Sequence, residues 1–90
     1  VNEKSDKGIV SDFYAILGDL YHSKEMKAEA YAAYDSSLVY NPNNIGTLNN
    51  YAYYLSVERT NLDKAEEMSY KTVKAEPENA TYLDTYAWIL

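Results

Sequence analysis

Few residues in this chain could carry covalent or acid–base chemistry. His22 is the sole histidine and there is no cysteine, so no Cys/His nucleophile pair, thiolate metal site or disulfide can be built. Gly8, Gly18 and Gly46 stand apart and form no phosphate-cradling loop. Carboxylates do gather at Asp63, Glu66 and Glu67, but Lys64 and Lys71 interleave with them, and Glu67 with Lys71 makes an i,i+4 pair. That run reads as a solvated outer helix face rather than a metal site. His22 ends a helical segment, where a cation is favourable. Catalysis, cofactors and metals are therefore not expected. The residues left over suit recognition: LNNYAYYL, residues 48–55, supplies amides that donate and accept, and rings with an apolar body and a polar tip.

Those residues need an element to aim them. As a strand, residues 48–55 give no clean face. At about 100° per residue, Leu48, Tyr51, Ala52 and Leu55 form one stripe and leave Asn49, Asn50, Tyr53 and Tyr54 off it, which predicts a helix. Similar stripes occur earlier, at Phe13, Ile16, Leu17, Leu20 and Tyr21, and later, at Leu83, Tyr86, Ala87 and Leu90. Two further helical segments lie between them, over roughly 24–40 and 62–75. Asn41-Pro42-Asn43-Asn44 and Glu76-Pro77-Glu78-Asn79 close the longer segments, because proline cannot continue a helix and asparagine caps the next one. Ser23 and Asn61 are the expected N-caps of the second and fourth helices.

Composition bounds the partners. The 90 residues are 47% hydrophobic and 24% charged, which is a globular balance, and fourteen acids against eight bases give a net charge of -6. Scattered single bases do not suit phosphate binding, so neither nucleic acid nor an anionic membrane surface is expected as a partner. No apolar run reaches membrane-spanning length, and no secretory signal is visible. The chain starts at Val1 and stops at Leu90 directly after YAWIL, and it reads as a piece of a longer protein.

The chain repeats on itself with a period of about 35 residues: Ala30 falls on Ala65, Pro42 on Pro77, Leu48 on Leu83 and Ala52 on Ala87. In the first unit, Tyr14, Leu17, Gly18, Tyr21, Ala30, Tyr34 and Pro42 follow the pattern W-x2-L-G-x2-Y, A-x3-F, P, departing from it by aromatic swaps at two positions. The sequence here resembles the tetratricopeptide repeat family. The second unit reads Leu48, Tyr51, Ala52, Leu55, Ala65, Ser69 and Pro77, with one extra residue in its connection and a serine where the family has a large aromatic. Tyr51 is the candidate to supply the missing volume. The resemblance covers residues 11–90, as 11–44, 45–79 and a truncated 80–90, after a tail or the end of a preceding element over residues 1–10. It implies an all-α, right-handed solenoid of five helices in antiparallel pairs, about two and a half repeats. Gly18, Ala52 and Ala87, facing Ala30 and Ala65, would let paired helices approach closely.

Members of that family bind partners, commonly extended peptides, in a concave groove lined by the first helix of each pair. By that resemblance the groove residues are Asp12, Ala15, Asp19 and His22, then Asn49, Asn50, Tyr53 and Ser56, then Thr81, Asp84, Thr85 and Trp88. Asn49 and Asn50 have three possible roles: holding a peptide backbone, bonding a neighbouring repeat, or simple solvation. Tyr53 and Trp88 are contact candidates because exposed aromatics carry a hydrophobic payload, though Trp88 could instead rest on whatever follows Leu90. The family's carboxylate clamp for a chaperone C-terminus maps to Ala15, Asp19, Asn50, Thr81 and Thr85, and of its residue types only Asn50 is present. With Asp19 and Asp84 in the groove, a neutral or basic protein segment is expected in preference to an acidic one. The alternative is a structural spacer, or a homodimer through residues 83–90.

Overall fold

The structure is a computed structural model that describes residues 3–90, with side chains from Asp6 onward. It is all-helical among those residues: α1 Glu3–Ser23, α2 Lys27–Tyr40, α3 Ile45–Val57, α4 Leu62–Ala75 and α5 Ala80–Ile89. The expected tail over residues 1–10 is helical from Glu3 as the start of α1, and its residues 1–2 lie outside the described residues. No described helix is long and apolar enough to cross a membrane. Two compact units divide the chain, one up to Thr47 and the other from Leu48 to Leu90.

In the first unit α1 and α2 form a helical hairpin. The turn between them explains why α2 starts at Lys27 and not near residue 24. Glu25 is left-handed (φ 62°), the Met26 N–H donates to Tyr21 O at 2.9 Å, and the Glu25 N–H donates to His22 O at 3.0 Å. This is a Schellman-type stop, which satisfies carbonyls at the end of α1 and breaks the helix before α2 can begin. Ser23, the expected cap of α2, belongs to α1 and donates its hydroxyl to Leu20 O at 2.7 Å; Met26 takes the cap position with no side-chain bond.

The buried face of α1 also differs from the expected stripe. Ser11 and Gly18 are buried and Tyr14, Leu17 and Tyr21 are half-buried, while Phe13, Ile16 and Leu20 are more than half exposed. The reason is Tyr34, fully buried on α2, whose ring lies where a Cβ on Gly18 would stand, 2.6 Å from its Cε1. Gly18 thus makes room for the Tyr34 ring, more directly than for Ala30. The Tyr34 hydroxyl donates to Asp19 Oδ1, so one polar and one small residue of α1 seat the same ring.

A buried hydroxyl cluster ties the ends of this unit together. Ser11 Oγ donates to Ser37 O at 2.8 Å and lies 3.0 Å from Ser37 Oγ, which lies 2.8 Å from Thr47 Oγ1. Asn44 Nδ2 donates to Ser11 Oγ at 2.9 Å and to Asp12 Oδ1 at 3.0 Å, while Asn44 Oδ1 accepts from the Thr47 N–H at 3.3 Å and caps α3. Every member has a partner, as burial requires.

The second unit reuses the same turn. Arg59 is left-handed (φ 57°), the Thr60 N–H donates to Leu55 O at 3.1 Å and the Arg59 N–H to Ser56 O at 3.1 Å, matching the Glu25 turn bond for bond. The extra residue of this connection lies just beyond the shared turn, where Asn61 is also left-handed (φ 47°). Asn61 holds the N-cap position of α4, as expected, but makes no side-chain capping bond. Asn79 does cap α5, its Oδ1 accepting from the Tyr82 N–H at 3.2 Å. Leu48, Tyr51, Ala52 and Leu55 are all buried, as are Ala65, Met68, Ser69 and Thr72 on α4. Lys64 bridges α4 to α3: its Nζ donates to Tyr51 Oη at 3.1 Å and stands 4.6 Å from the ring centroid. On α5 the expected core stripe is largely bare, because Leu83, Ala87 and Leu90 are exposed and Tyr86 meets Tyr70 of α4 at 6.0 Å between centroids. Ala87 therefore makes no close helix approach.

Candidate functional site

The residues proposed for a groove fall in three local environments, one in the first unit and two in the second. In the first unit, Asp19 is engaged with the Tyr34 hydroxyl and Asp12 with Asn44, so both carboxylates serve the fold. His22 is half-buried in the last turn of α1, beside the left-handed stop. In α3, Asn49 is only 8% exposed and its Oδ1 is buried without a hydrogen-bond partner. That carbonyl is therefore not presented to a peptide lying on the surface. Asn50 is half-buried.

The third group converges. Tyr53 of α3 and Thr81, Asp84, Thr85 and Trp88 of α5 line one open cleft of about 320 Å³. Helical spacing brings them together: Thr81, Asp84, Thr85 and Trp88 fall at i, i+3, i+4 and i+7 on a single face of α5, and Tyr53 comes across from α3. Trp88 is 66% exposed and Tyr53 44%, so two aromatic rings are presented to solvent. Tyr53 is steadied by an edge contact with Tyr54, at 5.7 Å between centroids, and its carbonyl accepts from Ser56 Oγ at 2.7 Å. Thr85 Oγ1 donates back to Thr81 O at 3.1 Å, which leaves its lone pairs as acceptors. Asp84 is exposed, and its carboxylate has no hydrogen bond or ion pair among the described residues.

Trp88 also borders a second cleft of about 300 Å³ with Ser56, Arg59, Leu62 and Ile89. Trp88 thus belongs to the lining of both an acidic cleft and one carrying a guanidinium. No group of three or more potential metal-ligating side chains occurs among the described residues. Tyr82, on the first turn of α5, has its pKa raised by burial and then by the nearby Glu76 carboxylate, and its phenol stays protonated at neutral pH.

No family model, curated protein or solved structure matches this chain. Functional assignment therefore rests on the cleft itself. The sequence pattern marks all five of its lining residues, because each lies off the apolar stripe of its helix. It does not mark Arg59, which sits in a turn, or Leu62, the first residue of α4.

Proposed function

We propose that this chain is a protein-interaction module of tetratricopeptide-like helix pairs, about two and a half repeats of a right-handed solenoid, with no catalysis of its own. The ligand is an extended segment of a protein partner, neutral or basic in character. The observation that carries this reading is the cleft lined by Tyr53, Thr81, Asp84, Thr85 and Trp88, where two exposed aromatic rings flank hydroxyls and one unpaired carboxylate. Large rings held open to water at a concave surface favour contact with a partner, since their burial returns free energy that solvent does not. The repeated left-handed turns at Glu25 and Arg59, and the period of about 35 residues, support a shared two-helix unit.

Capture of peptides from a random library provides the test. Tyr53→Ala combined with Asn50→Ala should leave helical circular dichroism near that of the parent and reduce capture at least about tenfold, the loss of roughly one aromatic contact. Undiminished capture by the folded double variant would remove the groove reading.

Self-association is the second reading, favoured by the exposure of Leu83 and Leu90 on α5. Light scattering over a range of concentrations separates the two: a mass that doubles with concentration, and reverts in Leu83→Lys, supports assembly through residues 83–90.

A further inference from the structure

We propose that the cleft between Tyr53 and Trp88 is a subsite for one cationic side chain, lysine or arginine, of the bound segment, with Asp84 as its counter-ion. This rests on the reading of the cleft as a protein-binding surface and specifies what it selects.

Three features converge on a cation. Tyrosine and tryptophan faces attract a cation through their quadrupoles, tryptophan most strongly, and both rings are open to solvent. Asp84 contributes a full negative charge on the same lining, and no other described group pairs with it. The remaining lining, Thr81 and Thr85, offers hydroxyl oxygens and carries no positive charge to compete. A neutral aliphatic side chain could fill the same space but would leave the Asp84 carboxylate partly desolvated and unpaired. An acidic side chain would face like charge in a chain already at -6. The principle is the same as the Lys64 contact on Tyr51 nearby, where this fold already holds an ammonium over a tyrosine ring at 4.6 Å.

Trp88 is the only tryptophan of the chain and reports on its own cleft by fluorescence. The probes are four blocked tripeptides, acetyl-Gly-X-Gly-amide, with X as lysine, arginine, norleucine or glutamate. The lysine and arginine peptides should change Trp88 emission saturably, with norleucine and glutamate weaker by about fivefold to tenfold, the combined size of an exposed cation–π contact and ion pair. Asp84→Asn should remove most of that preference and its dependence on salt, and Tyr53→Ala should weaken the basic peptides while leaving the reporter in place. If norleucine binds as well as lysine, the cleft accepts a segment without reading charge, so the cation subsite falls while the groove reading stands. If Asp84→Asn retains the full preference, the cation is held elsewhere, as on the Asp63, Glu66 and Glu67 face, and the subsite is overturned. If no tripeptide moves the emission, the subsite is overturned as well, and library capture by Tyr53 variants decides the groove reading separately.

Discussion

In the α1–α2 hairpin the second helix supplies the bulk, Tyr34, and the first gives way to it with Gly18. At the repeat-equivalent positions of α4 and α3 stand Ser69 and Ala52, both fully buried, and the first helix of the pair carries a buried Tyr51, roofed by Lys64. The two hairpins thus place their buried aromatic side chain on different helices. They differ in what each residue is worth. Where a glycine and a ring are matched, either change leaves a void or a clash. Where serine replaces the ring, its hydroxyl is buried without a partner and contributes little.

Truncation of the second-helix residue should break this comparison most visibly. Tyr34→Ala is expected to cost about 3–5 kcal/mol in denaturant unfolding, in the range of other buried aromatic truncations, whereas Ser69→Ala should lie within about 0.5 kcal/mol of the parent or above it. Equal costs at the two positions would mean that the two hairpins share one packing scheme after all. Next in size is Gly18→Leu, which forces a side chain into the Tyr34 ring and should cost about 1–3 kcal/mol; a variant as stable as the parent would show that the ring is free to move aside. Ser37→Ala removes the centre of the hydroxyl cluster in the first unit, leaving Thr47 Oγ1 short of a partner while Ser11 keeps its bonds to Ser37 O and Asn44, for an expected loss of about 1–3 kcal/mol. The smallest effect sharpens what the hairpins share. Glu25→Gly and Arg59→Gly relieve left-handed backbone at non-glycine residues, and each should raise the unfolding midpoint through a gain of about 1 kcal/mol or less. A loss at one turn only would show that its side chain holds the turn in some other way.

Much of this was legible in the sequence, and the failures have identifiable causes. The bounds of α4 and the stripe of α3 follow from apolar periodicity, because both faces of those helices are decided by burial. The stripe of α1 does not, since Phe13, Ile16 and Leu20 satisfy the same periodicity as a core and yet lie exposed; only the location of the Tyr34 ring reveals which side is inward. Nor does sequence disclose the cluster of Ser11, Ser37, Asn44 and Thr47, because small polar residues at helical spacing look solvated until three separate elements bring them together. The start of α2 does not follow from the sequence, because Glu25 adopts a conformation usually left to glycine or asparagine. The cleft is largely readable, as aromatic and polar residues off the apolar stripes. Asn49 differs in that an amide beside such residues looks available, whereas its carbonyl oxygen is buried.

The most direct test of the binding role is nuclear magnetic resonance mapping of a peptide selected from a random library by the intact chain. Shifts should concentrate at Tyr53, Thr81, Asp84, Thr85 and the Trp88 indole N–H, with α1 undisturbed. Shifts centred on Phe13, Ile16 and Leu20, with the Trp88 indole unmoved, would contradict it.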